Sequence, residues 1–110
     1  MSDTDKEPPY QFLGVYRLTE RLHDESSWTP ADQDTVQRHF ERLQSYAQEG
    51  RVILAGRTLE EPKDAFGLVV FESANFDEAK QFMDADPTVM KDVMKYELHP
   101  YRVAVMRSNE

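Results

Sequence analysis

The sequence lacks cysteine, is poor in glycine and contains no long apolar run. Without cysteine it cannot form disulfide bonds, thiolate nucleophiles or cysteine-ligated zinc and iron–sulfur centres, a composition that fits a reducing compartment. The N-terminal stretch MSDTDKEPP is polar and acidic, and no segment approaches the length that spans a bilayer. We therefore expect a cytoplasmic protein with neither a signal peptide nor a membrane anchor.

Basic residues are also scarce. The chain has 13 lysines and arginines against 21 aspartates and glutamates, which gives a net charge of −8, and the basic residues are spread along it. Proteins that bind nucleic acid or an anionic membrane present clustered lysine and arginine, so we predict that neither is a partner. A chain of 110 residues suffices for one domain that buries roughly 60–70% of its unfolded surface.

The domain is predicted to extend over residues 10–107. Residues 1–9 are polar and end in two prolines, so we expect a disordered N-terminal tail, and residues 108–110 form a short C-terminal tail. From Tyr10 to Thr19 the side chains alternate between two faces, and both faces carry apolar residues. This pattern predicts a first strand that is covered on both faces.

A long helix is predicted to follow a charged loop at residues 20–28. Thr29 is a suitable N-cap, Pro30 suits the first helical position, and Asp32 lies near the positive end of the helix dipole. Gly50 can adopt the left-handed conformation that ends a helix. These signals place the helix between Thr29 and Gly50.

One side of this helix carries an apolar stripe. Its members follow the spacing i, i+4, i+7 and i+11, and they are Val36, Phe40, Leu43 and Ala47. His39 lies at the edge of the stripe, beside the predicted core. It is either a structural histidine that hydrogen-bonds a neighbour or a general acid or base.

Three further strands are predicted. Residues 51–57, RVILAGR, form a continuous apolar run that suggests burial on both sides, and residues 65–72, AFGLVVFE, are apolar on both faces. The last strand covers residues 93–106. It is interrupted by Pro100, which cannot donate a ladder hydrogen bond and therefore favours an edge strand or a bulge.

A second helix is predicted before the last strand. Asn75 followed by Glu78 resembles a capping box, and the helix ends before Pro87. Asp86 is then suited to cap a short helical turn over residues 88–92.

The resulting order is βαββαβ. It predicts an α+β domain with a four-stranded antiparallel sheet and two helices on one of its faces. The other face would expose Leu13, Val15, Val69 and Phe71, or the neighbours that point the opposite way. Because such an apolar patch is large for a monomer, we predict a homodimer that forms through the open sheet face. The alternative is a monomer with a moderately apolar surface.

Several segments resemble the YCII-related proteins of the dimeric α+β barrel superfamily. They are HFERLQSYAQEGRVILAG at residues 39–56, the Asp86–Pro87 pair, and Pro100–Tyr101 in the last strand. The resemblance covers about residues 12–102 and implies a ferredoxin-like fold, a homodimer and a His–Asp site. One branch of the family resembles a dehydrochlorinase that acts on a hydroxylated aromatic ring. The chain departs from the family at Arg57, where proline is common, and in a longer loop before the first helix.

The resemblance and the residue chemistry together make His39 and Asp86 the predicted catalytic residues. A carboxylate beside an imidazole fixes its tautomer and favours its charged form, which suits proton transfer. Arg57 and Gly56 are predicted to bind substrate, since arginine binds anions and a glycine backbone allows close approach. For Asp86 the alternative is a purely structural helix cap.

We predict neither a metal nor an organic cofactor. A metal site of His39, Asp86 and His99 is conceivable, but the sequence offers no short-range ligand spacing such as HxxxH. Weaker candidates for closing a pocket lie in the charged loop, and they are His23, Asp24 and Trp28.

Three functions are compatible with these features. The first is a cofactor-independent enzyme of the isomerase or lyase type, which uses the His39–Asp86 pair on a small polar or anionic metabolite. The second is a non-catalytic dimer that binds a small ligand in the same cleft. The third is a structural interaction protein that uses its acidic tail and open sheet face.

Overall fold

A computed structural model describes residues 9–108, so the predicted N-terminal tail lies outside the described residues except for Pro9. The strands and helices are β1 (Tyr10–Leu18), α1 (Pro30–Glu49), β2 (Val52–Arg57), β3 (Gly67–Ser73), α2 (Phe76–Asp84), α3 (Pro87–Met90) and β4 (Met94–Tyr101). Two short 3₁₀ turns, Glu20–His23 and Glu25–Ser27, precede α1.

The four strands form one antiparallel sheet in the order β2-β3-β1-β4. Helices α1 and α2 pack on the same face of the sheet through a shared hydrophobic core. The predicted α+β, ferredoxin-like fold is therefore confirmed, with α3 as an additional single turn. Among residues 9–108, no helix combines the length and the apolar character needed to cross a membrane.

Helix α1 begins and ends where the sequence predicted. The Thr29 hydroxyl accepts a hydrogen bond from the Asp32 backbone N–H at 3.1 Å, and the Asp32 carboxylate accepts one from the Thr29 backbone N–H at 2.9 Å. This reciprocal pair is a capping box. Pro30 occupies the first turn, and Gly50 ends the helix with φ = +93°, a conformation that glycine adopts at little cost.

The loop before α1 is more ordered than its charged composition suggested. Leu22 is fully buried, and the Trp28 indole N–H donates to the Leu22 carbonyl at 3.0 Å. Arg21 donates two hydrogen bonds to Asp32, at 2.9 and 3.0 Å, and it holds the pKa of that carboxyl well below its usual value. The loop is therefore attached to the start of α1.

The core lies between the sheet and the helices. Its sheet side is formed by Phe12 and Tyr16 of β1, Val52 of β2, and Val69 and Phe71 of β3. The Phe71 ring stacks on Phe82 of α2 with 4.3 Å between the ring centroids. Burial of these aromatic rings supplies much of the apolar area that the fold removes from water.

The opposite face of the sheet carries aliphatic side chains from three strands. They are Leu13, Val15, Leu54, Leu68 and Val70. Val69 and Phe71, which the sequence left as alternatives for this face, belong to the core instead. The alternation along β3 assigns them to the side of the helices.

The two outer strands differ from their predictions. Strand β2 is mostly exposed, and Leu54 retains 49% of its accessible surface, so the predicted burial on both sides is wrong. Strand β4 ends at Tyr101, and residues 102–106 have no regular structure, although the sequence extended this strand to Met106. Both strands lie at the edges of the sheet, where one side has no neighbour. The predicted edge position of Pro100 is confirmed.

The buried side of α1 is rotated from the predicted stripe. His39 is only 4% exposed, whereas Phe40 is 45% exposed. His39 therefore lies on the buried side of the helix rather than at its edge. The stripe residues Val36, Phe40 and Ala47 instead line a cavity between α1 and the sheet.

Candidate active site

Asp86 is fully buried at the start of α3, where it acts as the N-cap. Its Oδ1 accepts a hydrogen bond from the Thr88 backbone N–H at 2.9 Å and another from the Thr88 hydroxyl at 2.6 Å. Pro87, at the first helical position, has no backbone N–H and therefore needs no hydrogen-bond acceptor. One carboxylate oxygen is thus used entirely by the helix cap.

The other oxygen, Oδ2, faces three side chains from more distant parts of the chain. His39 Nδ1 lies 2.7 Å from it, and the Tyr16 hydroxyl donates to it at 3.1 Å. Arg42 Nη1 completes the set at 3.4 Å. The sequence offered a cap or a histidine partner as alternatives for Asp86, and the geometry combines them, with one oxygen for each.

These contacts determine the charge of the cluster. Burial would raise the pKa of Asp86, but the hydrogen bond and charge of His39, together with Thr88, hold that pKa below its usual value. Burial and the nearby Asp86 charge raise the pKa of Tyr16, which therefore stays a neutral donor. Because an ionised carboxylate only accepts hydrogen bonds, the proton between Asp86 and His39 resides on Nδ1.

The second nitrogen of His39 is left for other chemistry. Nε2 has no hydrogen-bond partner within residues 9–108, and His39 is one of the residues that line the cavity. With the Nδ1 proton directed at Asp86, the neutral ring carries its lone pair on Nε2. The Tyr16 ring meets the imidazole edge-on, with 4.9 Å between the centroids, and so fixes its plane.

The cavity has a volume of about 540 Å³ and is lined mainly by apolar and aromatic side chains. Gly56 and Arg57, the two predicted substrate-binding residues, also line it, and so does Trp28. Asp86 is not part of the lining and lies behind His39. Of the predicted site residues, three therefore face one cavity and the fourth supports one of them.

The other histidines lie elsewhere. His99 pairs with Leu13 on the open face of the sheet and lies 3.7 Å from Glu97, so it cannot join His39 and Asp86 in a metal site. His23 Nε2 lies 3.1 Å from the Leu18 carbonyl oxygen. Within residues 9–108, no group of three or more acidic or histidine side chains is arranged to hold a metal ion.

Sequence reasoning missed three members of the cluster, namely Tyr16, Arg42 and Thr88. Arg42 follows His39 by three residues and thus shares its side of α1, which is a signal that could have been used. Its guanidinium donates to the Phe82 carbonyl at 2.8 Å and lies over the Phe82 ring, 4.5 Å from the centroid. No residue close to Tyr16 in β1 indicates a carboxylate 70 residues away, so its own strand gives no signal for this contact.

Comparison with known proteins agrees with this architecture. The chain resembles the structure of 5-chloro-2-hydroxyhydroquinone dehydrochlorinase (TftG) from Burkholderia phenoliruptrix AC1100 in complex with 2,5-dihydroxybenzoquinone, with 13% identity and a TM-score of 0.51. The match covers 83% of this chain and 93% of the dehydrochlorinase, and at that identity it shows a shared fold. No curated protein matches the sequence. The sequence model of the YCII-related domain matches residues 14–102. Since this match covers most of the chain, the protein belongs to the YCII-related family.

Proposed function

We propose that the protein is a small-molecule enzyme in which His39 is the general base and acid and Asp86 orients it. The observation that carries the proposal is the 2.7 Å contact between His39 Nδ1 and a buried carboxylate, beside a cavity that His39 lines. Nucleophilic cysteine chemistry is excluded because the chain contains no cysteine. Proton transfer uses the groups that are present.

In the proposed reaction, His39 Nε2 removes a proton from an acidic C–H or O–H bond of the substrate. The imidazolium that forms is stabilised by the negative charge of Asp86, which remains ionised. The proton then returns to another atom of the substrate in an isomerisation, or to a leaving group in an elimination. A positioned acid or base of this kind accelerates a reaction by roughly 10²- to 10⁴-fold.

The elimination variant is the reaction type that the name of the similar dehydrochlorinase describes, the loss of hydrogen chloride, and the two proteins share a fold. Gly56 and Arg57 complete the proposed site, where they would bind the substrate. A second candidate is a non-catalytic protein that binds a ligand in the same cavity, which its apolar lining also favours.

We further propose that the protein is a homodimer that forms through the open sheet face. Leu13 and Val70 pair directly across β1 and β3 on this face, as do Val15 and Leu68. On β4 the residues that pair with Leu13 and Val15 are His99 and Glu97, so the apolar centre has a polar border on this side. A light-scattering mass equal to one chain would contradict the dimer.

The enzyme proposal is tested with a panel of hydroxylated aromatics that includes 5-chloro-2-hydroxyhydroquinone. Turnover is followed by absorbance and by exchange of substrate protons for deuterium. We expect His39→Gln to reduce turnover at least 100-fold, in keeping with the contribution of a general base. The matched control, His23→Gln, changes an exposed histidine that is not part of the cavity lining and should be active. Turnover that survives in His39→Gln would refute the proposed role.

A further inference from the structure

Few charged side chains line the cavity. Besides His39, the lining contains one basic residue, Arg57, and one acidic residue, Glu60. Neither of these two forms an ion pair with any residue in the described part of the chain. A single guanidinium in a mainly apolar lining is suited to one anionic group on a ligand.

Arg57 and His39 both line the cavity, whose floor is formed by three adjacent strands of the sheet. Arg57 of β2, Gly67 of β3 and Tyr16 of β1 are neighbours across the sheet, and all three line the cavity. Adjacent strands are about 4.8 Å apart, so the Arg57 and Tyr16 backbones are separated by roughly 10 Å. The imidazole of His39 packs against the Tyr16 ring at an interplanar angle of 81°.

Gly67 keeps this floor open. A Cβ added to it would lie 3.9 Å from the Cβ atoms of both Arg57 and Tyr16, with the Gly56 carbonyl oxygen at 3.4 Å. These are ordinary contacts, and the backbone of Gly67 does not need a positive φ. The fold therefore does not require glycine here, whereas a flat ligand on the floor would.

We infer that the natural ligand is a flat, ring-bearing monoanion that lies on Gly67, with its anionic group at Arg57 and its ring edge at His39 Nε2. Trp28, Phe40 and Phe66 supply the apolar walls that exclude strongly hydrated metabolites. Glu60 repels a second negative charge and so selects against dianions. This inference defines the substrate class of the proposed enzyme, and it applies equally if the cavity only binds.

The test uses 2-naphthoate, its neutral analogue 2-naphthamide, 2,6-naphthalenedicarboxylate and inorganic phosphate, each titrated calorimetrically into the full chain. We expect 2-naphthoate to bind at least tenfold more tightly than the other three. The single tryptophan, Trp28, lines the cavity, so its fluorescence provides an independent readout of occupancy.

Variants separate the parts of the inference. Arg57→Gln should weaken 2-naphthoate about tenfold and leave 2-naphthamide unchanged, whereas Gly67→Val should weaken both. Glu60→Gln should improve binding of the dicarboxylate. The control Arg38→Gln changes an arginine that pairs with Asp34 and does not line the cavity, so it should bind like the wild type.

Three results would overturn the inference. They are no binding of 2-naphthoate at millimolar concentration, equal binding of the acid and the amide, and unchanged 2-naphthoate affinity in Arg57→Gln. Circular dichroism of Gly67→Val shows whether its loss of ligand binding comes from a local change in the cavity or from unfolding of the chain. His39→Gln should retain 2-naphthoate affinity within about threefold while it reduces turnover at least about 100-fold. Failure of the catalytic proposal and failure of the ligand class are therefore distinguishable.

Discussion

Replacement of Asp86 by asparagine tests the whole cluster, because the two side chains have the same shape and differ in charge. The asparagine carbonyl oxygen can keep the Thr88 contacts, and asparagine is as good an N-cap as aspartate. Its NH₂ group would then occupy the position of Oδ2. There it meets His39 Nδ1, the Tyr16 hydroxyl and Arg42 Nη1.

The three partners respond differently to that NH₂ group. The Tyr16 hydroxyl can rotate and accept, and His39 can accept once its proton moves from Nδ1 to Nε2. Arg42 has only donors, so its Nη1 loses the Asp86 acceptor, whereas its Nη2 keeps the Phe82 carbonyl. Removal of one member of a buried, charged cluster costs about 3–5 kcal/mol. We therefore expect the free energy of unfolding to fall by roughly that amount. This is a large part of the total free energy of unfolding of a typical domain, which is about 5–15 kcal/mol.

The shift of the His39 proton from Nδ1 to Nε2 leads to a second prediction, because a protonated Nε2 cannot act as a base. Turnover should fall at least about 100-fold even where the variant is fully folded. Urea unfolding measured by Trp28 fluorescence gives the stability, and ¹⁵N chemical shifts of His39 give the tautomer. Asp84→Asn is the control, because Asp84 is an exposed carboxylate paired with Lys80. A loss below about 1 kcal/mol, or a proton that stays on Nδ1, would refute the reasoning.

Two further predictions concern acidity and packing. Because the folded pKa of Asp86 is below its unfolded value of about 3.9, its contribution to stability is complete above that pH and is lost as the pH falls through the lower, folded value. The difference in unfolding free energy between wild type and Asp86→Asn should therefore shrink below pH 4 in urea titrations, and a constant difference would contradict it. A Cβ at Gly14 would overlap the end of the fully buried Met83 side chain, so Gly14→Ala should cost about 1–3 kcal/mol. Gly56→Ala, where an added Cβ meets no atom within 4 Å, should leave the urea midpoint unchanged.

Local signals predicted the boundaries of the helices well. Thr29, Asp32 and Gly50 act within a few residues of themselves, and Asn75 likewise caps α2 by accepting from the Glu78 backbone N–H at 2.8 Å. Each of these contacts joins residues that are close together in the sequence. The sequence therefore contains the information that places each cap.

Burial could not be predicted equally well, since it depends on what packs against each residue. The exposure of Leu54 follows from the position of β2 at the edge of the sheet. No residue within β2 indicates that this strand is an edge strand. The end of β4 at Tyr101 depends in the same way on the length of β1 beside it. The sequence placed His39 at the edge of an apolar stripe. The cavity that residues of this stripe line forms only in the folded protein, so the sequence could not show that His39 lies on the buried side of the helix.

The contacts of Asp86 Oδ2 also have a consequence for the order of folding. His39 lies 47 residues from Asp86 along the chain, and Tyr16 lies 70 residues away. Closing loops of that length is slow compared with forming α1 or the caps. The full set of contacts around Asp86 Oδ2 therefore forms only once β1, α1 and α3 have docked. In the proposed mechanism, a nascent or partly unfolded chain carries His39 without its carboxylate and is inactive, so turnover would report that the chain has folded.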